Sequence, residues 1–128
     1  MAGRGELVSD RQVRVTGADG GNSLIDADAI VLATGSSWPQ LPQFPIDGQQ
    51  VLSSKEALDL IDIPRSVLIV GGGVEGCEFA CLFSGLGSQV TLVEMTPSLL
   101  PTEDEDTVAI LTRELKKRKV QVYLNTTV

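Results

Sequence analysis

The sequence predicts an α/β fold: a partial Rossmann domain, β-α-β-α-β with a parallel sheet, preceded by a β-hairpin and one further strand. Apolar and polar residues alternate near the amino terminus, and a continuous apolar run follows at residues 29–33. From Ser66 onward, strand-like and helix-like segments alternate with short connections, which is typical of parallel β-α-β units. The composition, 42% hydrophobic and 21% charged, is ordinary for a globular protein.

The amino-terminal segment is predicted to contain the hairpin and a buried strand. Val13 and Val15 alternate with polar residues, and a turn at residues 17–22 precedes Leu24, where the extended pattern resumes. Residues 29–33 are apolar throughout and lead into a glycine turn. This pattern is typical of a strand that is covered on both faces.

The middle of the chain is predicted to be a linker with one short helix. Three prolines between residues 38 and 47 exclude a regular helix or a central strand there. Ser53 and Glu56 have the spacing of a capping box, so we expect a helix that continues to about Leu60. Pro64 prevents any longer helix.

The carboxyl-terminal half follows the Rossmann order. Ser66–Val70 is predicted as a buried strand, residues 71–76 as a glycine loop, and residues 77–86 as a helix that ends at Gly87. A second strand is expected at residues 89–94. The three strands of this half should lie in the order third, second, first, which leaves Ser66–Val70 at an unpaired edge.

A second helix and a third strand complete this half. Thr102 and Glu105 have capping-box spacing, and acidic residues at the start of the helix with basic residues at its end match the helix dipole. The third strand is predicted at residues 120–124. The buried face of the helix is expected to consist of Val108, Leu111 and Leu115.

The best-defined candidate site is the GxGxxG motif of residues 71–76. In a dinucleotide-binding fold, the three motif glycines permit a tight turn, close approach of the pyrophosphate, and close packing of the helix on the strand. The helix that follows presents N–H groups and a positive dipole end to the phosphates. A purely structural turn is the alternative. The candidate cofactor-binding residues in the loop are Gly71, Gly72, Gly73, Val74, Glu75 and Gly76.

Glu94 makes the motif more specific. It ends the predicted second strand, at the spacing of about 20 residues expected for a carboxylate that binds the adenine ribose. A carboxylate there favours NAD over NADP. Thr34 and Gly35 end an earlier predicted strand, and by themselves they are more typical of a structural turn than of a binding site.

Charge and composition exclude several other functions. The net charge of −7 opposes nucleic-acid binding, and no apolar run approaches the roughly 20 residues that span a bilayer. Without a secretory pattern at the amino terminus, we expect a cytoplasmic protein. Cys77 and Cys81 lie four apart on a predicted helix, so we expect buried thiols and not a redox pair.

The order of these segments resembles the pyridine nucleotide-disulfide oxidoreductases over nearly the whole chain. The branch of that family that oxidises dihydrolipoamide looks closest. The resemblance extends over residues 29–36, 51–58, 67–80 and 86–94, followed by Leu100-Pro101.

This resemblance implies an internal fragment of a flavoprotein. An FAD-binding domain would end at residues 1–36, a linker would span residues 37–64, and the first half of an NAD-binding domain would span residues 65–128. Thr34 and Gly35 would then lie near the FAD. The loop glycines and Glu94 would hold the NAD.

Two further glutamates are interpreted separately, Glu75 within the motif and Glu78 two residues after it. The resemblance implies that Glu78 lies near the nicotinamide, whereas its alternative is a solvated helix residue. Glu75 stands where the family usually has an aliphatic residue.

The family's remaining machinery is missing from this sequence. A second glycine motif for FAD, a C-x4-C redox pair and any histidine are absent, so we expect no catalytic residue, no metal site and no retained FAD. The implied parent is a homodimer that moves electrons between dihydrolipoamide and NAD through FAD. A mercuric-ion reductase, an NADH oxidase, and a nucleotide-binding module without turnover remain alternatives.

Overall fold

The computed structural model describes residues 1–38 and 41–128, which divide into two compact units, Met1–Pro39 and Gln40–Val128. The first unit is an antiparallel sheet of β1 (Arg4–Ser9), β2 (Gln12–Thr16) and β3 (Asn22–Asp26), in that order.

The predicted hairpin corresponds to β2 and β3. Its turn is closed by the Gly17 N–H, which donates to the Gly21 carbonyl at 2.9 Å, and Gly20 has a positive φ of 79°. Strand β1, which pairs with β2, was not predicted from the sequence. Gly5 within the strand weakens the signal, because glycine is rare in strand interiors.

The prediction of a buried strand at residues 29–33 is wrong. This segment has no regular structure, and Val31 is 87% exposed. A central strand needs hydrogen-bonding neighbours on both sides. Among the described residues of this unit, β1, β2 and β3 bond only to one another and offer none.

The second unit contains the Rossmann half. It consists of α1 (Ser54–Leu58), β4 (Ser66–Val70), α2 (Val74–Gly85), β5 (Gln89–Val93), α3 (Glu105–Lys117) and β6 (Gln121–Tyr123). The sheet is parallel with the order β4-β5-β6, so the predicted topology is confirmed and β4 lies at an edge.

Helices α1 and α2 begin close to the positions predicted from the capping box and the glycine loop. At α1, the Glu56 carboxylate accepts a hydrogen bond from the Ser53 N–H at 2.9 Å. Helix α2 begins at Val74, three residues before the predicted start, because Gly73 already has the extended conformation of an N-cap. It ends as predicted, with Gly87 at φ 96° and the Ser88 N–H donating back into the last turn.

The predicted capping box at the start of α3 is wrong. Asp104 is the N-cap, and its carbonyl accepts a hydrogen bond from the Val108 N–H at 3.0 Å. Thr102 cannot cap this helix because it lies inside a turn, in which the Glu103 N–H donates to the Leu100 carbonyl at 2.9 Å. The acidic start and basic end of α3 are as predicted.

Helices α2 and α3 pack into one hydrophobic core with one face of the parallel sheet. Ala80, Leu92 and Leu115 are fully buried at its centre. On the other face, Leu68, Val70 and Tyr123 are each about half exposed. The prediction of a buried strand at Ser66–Val70 is therefore wrong, because none of its residues is fully buried and the described helices cover only one face of the sheet.

Candidate functional site

The glycine loop lies where β4 ends and α2 begins, at the carboxyl edge of the parallel sheet. The Gly71 N–H donates to the Val93 carbonyl at 2.9 Å, which continues the pairing of β4 with β5. Gly71 then turns the chain with a φ of 113°, a conformation that other residues rarely adopt. This edge of an open α/β sheet is the usual location of ligand sites.

The three motif glycines differ in backbone conformation or in the room that they leave for a side chain. A Cβ atom at Gly76 would lie 1.9 Å from the Gly71 carbonyl oxygen, so a side chain there cannot be accommodated. A Cβ atom at Gly73 would have no neighbour within 4 Å. Gly73 thus leaves open space at the helix N-terminus, into which a side chain would project.

Gly72 is more constrained than the motif requires. A Cβ atom on it would lie 2.5 Å from Leu99 Cδ2 and 3.0 Å from Glu94 Cβ. From the sequence, Gly72 is a candidate loop residue without a role of its own. The only available signal was a glycine at a position where the motif accepts any residue.

The Glu94 carboxylate is bound to the glycine loop. Glu94 follows β5 directly, and its residue is only 8% exposed. Its Oε2 accepts from the Gly72 N–H at 2.5 Å, and its Oε1 accepts from the Thr96 N–H at 2.7 Å. These bonds, Thr96 first and Gly72 second, lower the pKa of Glu94 against the opposing effect of burial.

The first turn of α2 follows Gly73 directly and borders the glycine loop. Its early N–H groups have no acceptor within the helix, so they add positive potential next to Gly73. Val74, Glu75 and Glu78 are exposed. The exposure of Glu78 is compatible with both interpretations given above, and its place beside a nicotinamide stays a prediction.

The two cysteines lie on α2 as free thiols. Cys77 is buried, and its Sγ lies 3.5 Å from the Gly72 carbonyl oxygen. Burial raises the pKa of Cys77 to about 11, with smaller contributions from Cys81 and Glu94. Such a thiol is almost entirely protonated at neutral pH. The prediction of a buried thiol is confirmed for Cys77, whereas Cys81 is only partly buried.

Thr34 and Gly35 lie in the first unit, in an exposed segment without regular structure. Gly35 has a φ of 82° with open space around it. A role of these two residues near FAD stays a prediction.

Comparison with known proteins gives the same family that the motifs suggest. The profile described as pyridine nucleotide-disulphide oxidoreductase matches residues 2–128. A dihydrolipoyl dehydrogenase of Bacillus subtilis is 42% identical over 123 residues, which cover 96% of this chain and 27% of that protein.

Solved structures of flavoprotein disulfide reductases and oxidases are also similar. The crystal structure of LpdA from Mycobacterium tuberculosis matches with a TM-score of 0.77 and 35% identity, over 98% of this chain and 28% of that one. The water-forming NADH oxidase from Lactobacillus brevis, bound to NADH, matches with a TM-score of 0.61 and 25% identity, over 98% and 30%. The chain thus spans little more than a quarter of the length of these relatives.

Proposed function

The chain belongs to the pyridine nucleotide-disulphide oxidoreductase family, and on this basis we propose that residues 71–76 and Glu94 form an NAD-binding site. The observation that supports this most is the steric pattern of the loop. Gly71 turns the chain with a positive φ, Gly76 allows helix α2 to lie close to the Gly71 carbonyl, and Gly73 leaves a space that a Cβ would fill. Neither the backbone conformation of Gly73, with a φ of −72°, nor a neighbouring atom of the chain requires glycine there, whereas close approach of a pyrophosphate does.

The proposed orientation of NAD follows from the two ends of the site. The pyrophosphate would lie against Gly73 and the first turn of α2, where N–H groups and the helix dipole favour negative charge. The adenine ribose would lie against Glu94, whose carboxylate has capacity for more hydrogen bonds than the two it accepts within the chain. The nicotinamide end would extend past Glu78.

Within this chain, the contribution to catalysis would be positional. Bound NAD supplies the hydride chemistry, and the chain's residues hold the pyrophosphate so that the nicotinamide reaches its reaction partner. The residues proposed for the site are glycines, Val74, exposed glutamates and the carboxylate of Glu94. None of them needs to transfer a proton.

The proposed parent enzyme is a dihydrolipoyl dehydrogenase-like flavoprotein. It would pass electrons from dihydrolipoamide through a disulfide and FAD to NAD, as a homodimer in the cytoplasm. The 42% identity to the Bacillus subtilis enzyme supports this substrate. Residues 1–36 would then belong to an FAD-binding domain, residues 37–64 to a linker, and residues 65–128 to the NAD-binding domain.

An NADH oxidase is the second candidate parent, supported by the similarity to the Lactobacillus brevis structure. A mercuric-ion reductase of the same architecture is a further candidate parent. Among the described residues, no helix is long and apolar enough to cross a membrane.

Calorimetric titration of the purified chain with NAD tests the proposed site. We expect saturable binding with one NAD per chain, and the absence of binding would contradict the proposal. A spectrum and an NADH-dependent lipoamide assay then separate the enzyme from the module. We expect a colourless protein without turnover, because the chain contributes only the NAD cradle; bound flavin or turnover above a heat-killed control would contradict this.

A further inference from the structure

We propose that Glu94 has a second role, which rests on and deepens the proposed function: together with Leu99 and Leu100 it fixes the position of Gly72. We call the contacts of these three residues with Gly72 the latch. The latch would hold the pyrophosphate-binding loop in the shape that binds NAD. Glu94 and these leucines belong to the segment after β5, residues 94–100, which we call the strap. The strap would be a positioning element for the loop, in addition to the ribose contact of Glu94.

The strap contacts both backbone polar groups of Gly72. The Gly72 N–H donates to Glu94 Oε2 at 2.5 Å, and the Gly72 carbonyl accepts from the Leu100 N–H at 2.9 Å. Cys77 Sγ lies 3.5 Å from the same carbonyl oxygen. A residue held at both its donor and its acceptor cannot rotate its peptide groups without breaking a bond.

The strap also packs directly against the Cα of Gly72. Leu99 is 1% exposed, and its Cδ2 occupies the space that a Cβ at Gly72 would need. Gly72 does not have a positive φ, so its backbone conformation does not require glycine. The requirement for glycine at this position is therefore contact with the strap.

The strap itself is held in a defined shape. Leu100 has a φ of 46°, which is unusual for a branched residue and persists only where the surroundings fix it. The Thr96 N–H donates to Glu94, and the Thr96 carbonyl accepts from the Asn125 N–H at 3.0 Å. The position of Gly72 is thus fixed through the strap to the segment after β6.

A consequence is that the adenosine end and the pyrophosphate end of the site are coupled. The carboxylate that would meet the ribose also fixes the residue between the turn glycine and the phosphate-contacting glycine. A side chain at Gly72 that displaces Leu99 should therefore weaken NAD binding, although Gly72 is not itself proposed to bind the ribose.

Gly72→Ala, Leu99→Val and the double variant test the latch without requiring cofactor. In Gly72→Ala the new Cβ overlaps Leu99, so the Leu100 amide should exchange with solvent about fivefold to tenfold faster, the scale of one lost backbone hydrogen bond. Leu99→Val shortens the opposing side chain. In the double variant, amide exchange at Leu100 should be slower than in Gly72→Ala without returning fully to the wild-type rate, because Glu94 Cβ would still lie 3.0 Å from the new Cβ. Gly85→Ala is the matched control, because its Cβ would make only an ordinary contact with Arg118.

Wild-type exchange at Leu100 in Gly72→Ala, or no recovery in the double variant, would overturn the latch. Titration of the same four proteins with NAD gives the second measurement. We expect weaker binding in Gly72→Ala and recovery in the double variant, whereas unchanged affinity in Gly72→Ala would overturn the coupling. If wild type binds no NAD, the proposed function fails, and the exchange data still decide whether the latch exists.

Discussion

Substituting alanine at Gly73 and at Gly76 should separate binding from folding. At Gly76 the Cβ would lie 1.9 Å from a backbone oxygen, so helix and loop must move apart. Overpacking of this kind costs about 1–3 kcal/mol, and more where backbone must shift. At Gly73 the Cβ meets nothing within 4 Å, and φ of −72° with ψ of −173° is open to alanine.

The expected stability change at Gly73 is small because two effects oppose each other. Alanine is a poorer N-cap than glycine, but it also lowers the entropy of the unfolded chain, by about 0.4–1 kcal/mol. We therefore expect Gly73→Ala to unfold in urea within about 1 kcal/mol of wild type. The same methyl group would occupy the space proposed for the pyrophosphate, so NAD affinity should fall by about tenfold or more, which is about 1.4 kcal/mol.

Urea unfolding and NAD titration of both variants measure the two effects. The expected pattern is a stable Gly73→Ala that binds NAD poorly and a destabilised Gly76→Ala. If Gly73→Ala binds NAD as well as wild type, the open space at Gly73 is not where the pyrophosphate lies. If it loses as much stability as Gly76→Ala, the steric reasoning is wrong.

Three further predictions follow from the same contacts. With iodoacetamide at pH 7.5, Cys81 should be alkylated before Cys77, because Cys77 is buried and its burial raises the pKa of its thiol to about 11. Mass spectra of the native protein measure the order, and faster modification of Cys77 would show that its thiol is accessible. Folding lowers the pKa of Glu94, so the ionised carboxylate stabilises the protein above the unfolded pKa of 4.5, and this stabilisation is lost as the pH falls through the lower folded pKa. The difference in unfolding free energy between wild type and Glu94→Gln should therefore shrink between pH 6 and pH 3. A constant difference would contradict the hydrogen bonds described for Glu94. The chain should self-associate through the edge strand β4, and Leu68→Lys should reduce this in sedimentation experiments; a wild-type protein that stays monomeric at high concentration would contradict it.

The sequence predicts the Rossmann half well because its signals are local. The apolar runs define β4 and β5 to within a residue, and the glycine after α2 marks its end. Predictions failed where distant residues decide the outcome. Residues 29–33 have the composition of a central strand, but the described residues of their unit provide no neighbouring strand. Thr102 has the spacing of a capping residue, but it lies inside the turn in which the Glu103 N–H donates to the Leu100 carbonyl, so it cannot cap the helix.

The candidate site divides in the same way. Gly71, Gly73, Gly76 and Glu94 follow from motif spacing, and in the structure the three glycines differ in backbone conformation or in the room for a side chain. The latch on Gly72 could not be predicted, because it depends on the strap returning to the loop some 20 residues later in the sequence. Leu99 is an unremarkable leucine in the sequence, and only its packing against Gly72 identifies its role.

The most direct test of the proposed site is competitive titration of the chain with NAD and NADP. A 2′-phosphate would bring a second negative group to the Glu94 carboxylate, and residues 95–100 contain no lysine or arginine to neutralise it. We predict that NAD binds more tightly by about 1–3 kcal/mol, the scale of a lost charged hydrogen bond, and that Glu94→Arg narrows or inverts the preference. Equal affinities of wild type for the two cofactors would mean that Glu94 does not face the ribose.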